Sequence, residues 1–213
     1  MELLRRWLEV SLSVLKVNAD LIAWNLFLAV IPLVLSVWLF RWSKRRSPLW
    51  WLVCAVFIAF LPNAPYILTD IIHYVKMMRR EIPESVLIFA LTPQFFLFLL
   101  AGWQCYVMSL LNLGYYLGQR HLEVWVVPLE LASHFLAAIG IYLGRFLRWN
   151  SWDLVTNPDE LASSLARTLS QERPLLAILI TFFILTILYW PSKQTNLGLV
   201  LRYQEHSAGK PRL

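Results

Sequence analysis

The run LIAWNLFLAVIPLVLSVWLF, residues 21–40, carries no charged residue and gives way at once to Arg41-Trp42-Ser43-Lys44-Arg45-Arg46. At about 1.5 Å per residue such a helix reaches about 30 Å, the thickness of a bilayer's hydrocarbon core. A tryptophan and a cluster of cations mark the point where a span meets water. The whole chain agrees with this reading. Of its 213 residues 59% are hydrophobic and 15% charged, too apolar a balance for an ordinary soluble domain.

Further apolar runs predict spans at about 49–61, 86–112, 124–147 and 175–190, so the expected fold is all-α, an integral membrane bundle of about five helices. The third run extends as far as Leu117, and Pro93 can kink it. Interfacial amphipathic helices are expected at three places. In residues 1–20, Leu4, Trp7, Leu8 and Leu15 oppose Arg5, Arg6, Glu9 and Lys16. Residues 66–78 resume helical character after Pro62-Asn63-Ala64-Pro65, two prolines that interrupt the second span. Residues 158–170 open on a capping asparagine, Asn157, with Pro158 at the first helical position, and place Leu161, Leu165 and Leu169 on one side. Residues 191–213 read as a loose, polar, basic tail.

The net charge of +6 raises nucleic acid as a partner, but the cations sit in short clusters beside the spans, where they set orientation and meet lipid. Cys54 and Cys105 fall inside apolar runs without metal-ligand spacing and read as packing groups. No basic-then-apolar stretch with a small-residue cleavage site precedes Leu21, so no removable signal peptide is expected.

Five crossings put three polar groups on one face: Trp24-Asn25, the segment from Pro62 to His73, and the segment from Arg145 to Asp153. Helix capping alone does not call for Asp70, His73, Arg145, Arg148 and Asp153 together, which favours a shared site. In the fourth span Glu130, His134, Ile141, Arg145 and Arg148 recur at helical spacing. That side should face the bundle interior, either as a polar path toward the arginines or with Glu130 and His134 satisfying each other between two helices. Gly140 and Gly144 would let another helix approach closely.

The stretch LPNAPYILTDIIH, residues 61–73, the GIYLGRFLRWNSWD stretch, residues 140–153, and Trp24-Asn25-Leu26-Phe27 resemble the domain of unknown function family 1361, multi-pass bacterial membrane proteins. The resemblance implies a bacterial integral membrane protein and marks Asn25, Asn63, Asp70, His73, Arg145, Arg148, Asn150 and Asp153 as signature positions. It implies no activity and no cofactor, and Glu130 and His134 lie outside its pattern.

Three readings of the site follow. In the first, the arginines with Asn25, Asn63, Asn150 and Asp153 bind an anionic headgroup or solute, in a binding or transport role. In the second, Asp70 and His73 act as acid and base on a lipid or lipid-linked substrate, with Asp153 as a third ligand if a metal assists. In the third, the polar face docks another membrane protein, or simply neutralises itself through ion pairs between the aspartates and arginines. Lysine and arginine totals divide almost evenly between the two faces. The tight Arg41–Arg46 loop tips the balance toward a cytoplasmic loop in the cell membrane, with the site opening outside.

Overall fold

The computed structural model describes residues 1–149 and 151–207, and all its regular elements are helical. Helix α1 (Glu2–Val17) meets α2 (Ala19–Val37) at Asn18, whose side chain donates to the Val14 carbonyl at 3.0 Å. A wider π turn, Trp38–Trp42, prolongs α2 and brings Arg41 within 2.8 Å of Asn112. Helix α3 (Pro48–Phe60) starts as its sequence dictates, with Pro48 at the first position and the Ser47 hydroxyl accepting from the Trp50 amide at 3.3 Å. Then come α4 (Asn63–Tyr66), a 3-10 turn (Ile67–Asp70) and α5 (Ile71–Met78). The short α6 (Glu84–Val86) and a π turn lead into α7 (Thr92–Gly118), which is followed by α8 (Val126–Phe146). Short α9 (Asp153–Thr156), α10 (Pro158–Leu169) and the long α11 (Glu172–Ser207) complete the described chain.

Among the described residues five helical stretches are long and apolar enough to cross a membrane: Ala19–Trp42, Pro48–Met78, Glu84–Gly118, Glu123–Phe146 and Glu172–Ser207. The chain is an all-helical, multi-pass membrane bundle. Helix α7 is the central post. It packs most extensively on α2, buries residues from Phe95 to Leu117, and meets α4 and α8 as well. At one end of the bundle Phe40, Trp50, Phe57 and Tyr116 form an aromatic cluster, with the Trp50 indole donating to the Leu39 carbonyl at 3.1 Å.

Three features depart from the sequence expectation. Residues Tyr66 to Asp70 do not lie flat at an interface; Ile67 and Asp70 are buried among α2, α7 and α8, and only α5 presents apolar side chains outward. The cause is the proline pair. Pro62 and Pro65 have no amide to donate, so α-helix yields to a turn and then to a 3-10 turn, which redirects the chain into the bundle.

The fifth span does not end at Pro191. Helix α11 runs through it to Ser207, so the described part of the expected tail, up to residue 207, is helical. The Ser192 and Thr195 hydroxyls donate to the Leu188 and Pro191 carbonyls at 2.8 and 2.9 Å, local bonds of the kind that hold a proline-containing helix together in hydrocarbon. Helix α10 begins at Pro158, and the Asn157 side chain does not cap it; its amide donates to Thr156 at 3.3 Å instead.

Two glycines set how closely helices approach. A Cβ on Gly140 would stand 2.6 Å from Pro62 Cβ, and one on Gly144 would stand 3.0 Å from the Tyr66 ring. Helix α8 therefore lies directly against the proline-interrupted segment. Gly140→Ala is expected to destabilise the bundle by about 1–3 kcal/mol, because the rigid Pro62 ring cannot yield. Gly198→Ala, where nothing lies within 4 Å, is expected to be neutral or to stabilise by up to about 1 kcal/mol. Thermal unfolding of both variants in one detergent checks the contrast.

Candidate functional site

The proline-interrupted segment delivers Asp70 to the interior with its carboxylate only 2% exposed. Its Oδ2 accepts from Asn25 Nδ2 of α2 at 2.6 Å, and its Oδ1 accepts from Arg145 Nη2 of α8 at 2.8 Å. Arg145 also donates through Nε to Thr69 Oγ1 at 3.0 Å and through Nη2 to the same oxygen. The Thr69 hydroxyl in turn donates to the Tyr66 carbonyl at 2.7 Å, and the guanidinium lies 4.8 Å from the centre of the Tyr66 ring. Arg145 ends α8, where the helix dipole favours a cation.

One charge-neutral knot thus ties α2, the 3-10 turn and α8 together. His73 stands at its edge, Nε2 3.9 Å from Asp70 Oδ1, with its side chain 35% exposed.

The second arginine has a different fate. Helix α8 stops at Phe146, and Arg148 adopts a left-handed conformation with φ 59°, while the Trp149 amide folds back to the Leu143 carbonyl at 3.2 Å. Arg148 is therefore not on the same helical face as Arg145, contrary to the spacing argument. Its side chain is exposed, and among the described residues it has no ion-pair or hydrogen-bond partner. Asn63 Nδ2 donates to Ser151 Oγ at 2.9 Å, joining the start of α4 to the corner after α8.

Asp153 opens α9, with the Thr156 hydroxyl 3.3 Å from its Oδ1. It does not gather with Asp70 and His73: among the described residues no three His, Cys, Asp or Glu side chains group as a metal site would require. Asn150 lies outside the described residues.

Beside the knot opens a cleft of about 630 Å³, walled by α2, α3, α8 and α10. Its lining runs from apolar residues along the helix bodies, Leu28, Ala55, Ile58, Leu136 and Ile139, to a polar rim near the helix ends with Asn25, Asn63, Tyr66, Arg148, Trp149 and Ser151. Leu161 and Leu165, expected to lie on the membrane, line the same cleft and place α10 beside its opening. Asp70, His73 and Arg145 do not line it.

A family model described as "Protein of unknown function (DUF1361)" matches residues 24–187, most of the chain and all of this site. The chain belongs to the DUF1361 family. No curated protein and no solved structure matches it. Together the family and the five apolar helices make this DUF1361 chain a multi-pass membrane protein of unassigned activity.

In this DUF1361 protein Glu130 and His134 lie toward the opposite end and do not satisfy each other. Glu130 Oε1 accepts from Tyr189 Oη at 2.7 Å and from Lys193 Nζ at 2.6 Å, both on α11. His134 Nδ1 lies 2.7 Å from Tyr106 Oη of α7. Between His134 and Arg145 the helix buries Ala137, Ala138 and Ile141, so its polar residues form two separate ends rather than a continuous path.

Several partners here carry no signal in the sequence that ties them to the charges they meet. Thr69 and Tyr66 sit inside the quoted 61–73 stretch but look like ordinary helix residues there. Lys193 follows Pro191, which in the sequence reads as the end of the span.

Asp70→Leu leaves the part-buried Arg145 guanidinium without its carboxylate and is expected to cost about 3 kcal/mol, whereas adding Arg145→Met should recover most of that loss. A double-mutant cycle on unfolding midpoints measures this coupling. Lys193→Met is likewise expected to destabilise by about 3 kcal/mol, far more than Lys76→Met on α5; equal effects would show that Lys193 contributes nothing to locking α11.

Proposed function

We propose that this protein binds an anionic amphiphile, its tail in the apolar cleft and its headgroup at Arg148. The observation that carries the reading is the cleft's polarity: an apolar wall along about 12 Å of α8, from Leu136 to Gly144, that ends at a rim with one guanidinium, Arg148, which has no ion-pair partner among the described residues. An arginine suits phosphate or carboxylate because its planar fork can donate two parallel hydrogen bonds. Trp24 and Trp149 at the same rim are residues that settle where headgroups meet hydrocarbon.

Helical spacing in the sequence assigns both arginines to the ligand. Arg145 is already neutralised by Asp70, so Arg148 carries the binding and Arg145 positions the wall beside it. An acid–base role for Asp70 and His73 draws less support. Both Asp70 oxygens accept strong hydrogen bonds, and neither residue lines the cleft.

In the cell membrane, the four cations of the Arg41–Arg46 loop favour the cytoplasmic side, so the cleft opens near the outer face.

Arg148 can be changed without disturbing its turn, because glycine and asparagine both accept φ near +60°. Arg148→Gly and Arg148→Asn are expected to fold as the wild type does by circular dichroism. Each should lose about ten-fold or more of its co-purifying anionic lipid in native mass spectrometry, the loss of one charge-assisted contact. Equal retention by the wild type and both variants would overturn the reading.

A further inference from the structure

We infer, building on the cleft reading above, that the headgroup is singly charged and bears hydroxyl groups: a polyol phosphodiester of the phosphatidylglycerol kind rather than a phosphomonoester or diphosphate. The first argument is a charge count. Arg145 is committed to Asp70, which leaves Arg148 as the one charged side chain among the described residues lining the cleft. A phosphodiester brings one negative charge and is balanced by it. A phosphomonoester carries about 1.5 to 2 negative charges at pH 7 and leaves an excess at a rim bordered by hydrocarbon, where unpaired charge is costly.

The second argument concerns donors and acceptors. Asn25 and Asn63 both reach the rim, and both have their amide nitrogen engaged, Asn25 on Asp70 at 2.6 Å and Asn63 on Ser151 at 2.9 Å. Each carboxamide is thereby oriented, and among the described residues neither amide oxygen has a hydrogen-bond donor. The rim therefore presents two fixed acceptors beside one cation. Ser151 Oγ accepts from Asn63 and keeps its own proton to give to a phosphate oxygen. Headgroup hydroxyls meet the acceptors while the phosphate meets Arg148 and Ser151. A choline headgroup brings no donor and sets its own cation beside Arg148.

The test is lipid competition on the full-length wild-type protein in detergent. Phosphatidylglycerol, phosphatidic acid and phosphatidylcholine with identical acyl chains are supplied together and read by native mass spectrometry. The expected result is phosphatidylglycerol retained about ten-fold over each of the others. Phosphatidic acid equal to or above phosphatidylglycerol, with phosphatidylcholine below both, would overturn the headgroup assignment and leave the anionic cleft standing. No discrimination among the three would overturn both. Asn63→Ala separates the two arguments: the phosphatidylglycerol advantage over phosphatidic acid should shrink while both stay above phosphatidylcholine. An unchanged ratio would remove the hydroxyl part of the assignment.

Discussion

A lone carboxylate or guanidinium cannot be held cheaply inside a membrane bundle, and one end of this protein is built around that constraint. Asp70 and Arg145 come from segments far apart in the chain and meet at 2.8 Å. Asn25 donates to the other carboxylate oxygen, and Thr69 accepts from the guanidinium. Such a pair adds little net stability over well-packed apolar residues, but it penalises any arrangement in which either partner is left alone. It therefore fixes which segments adjoin: α2, the 3-10 turn and the end of α8 must converge for the charges to cancel. The prolines of the 61–73 stretch and the glycines of α8 serve that convergence, the prolines by breaking the helix so that Asp70 points inward, the glycines by letting α8 lie against the break.

Once Arg145 is taken up in this way, the division of labour at the rim follows. The paired arginine holds a wall in place, and the arginine three residues later, turned out of the helix by a left-handed residue, faces the cleft with its charge uncompensated by a described partner. A non-glycine residue at φ 59° costs about 1 kcal/mol, and here the same backbone turn both closes α8 and re-aims the guanidinium. The opposite end of the bundle follows the same logic with different partners. Glu130 is matched by Lys193 and Tyr189, and the ionisable groups of the two ends are kept apart by buried alanines and Ile141.

The amino-acid sequence by itself determined the five apolar crossings, the proline interruption and the clustering of Asn25, Asp70 and Arg145 on one face, because each rests on local composition or on the parity of crossings. It did not determine partners. Periodicity along α8 put Arg145 and Arg148 on one side and paired Glu130 with His134, since spacing assumes that the helix continues and says nothing of what other helices supply. The tertiary structure ended α8 at Phe146, carried α11 past Pro191 so that Lys193 could reach Glu130, and opened a cleft between α2, α3, α8 and α10. Those outcomes depend on contacts between residues distant in the chain, and in hydrocarbon the need to pair every buried charge and polar group selects among them.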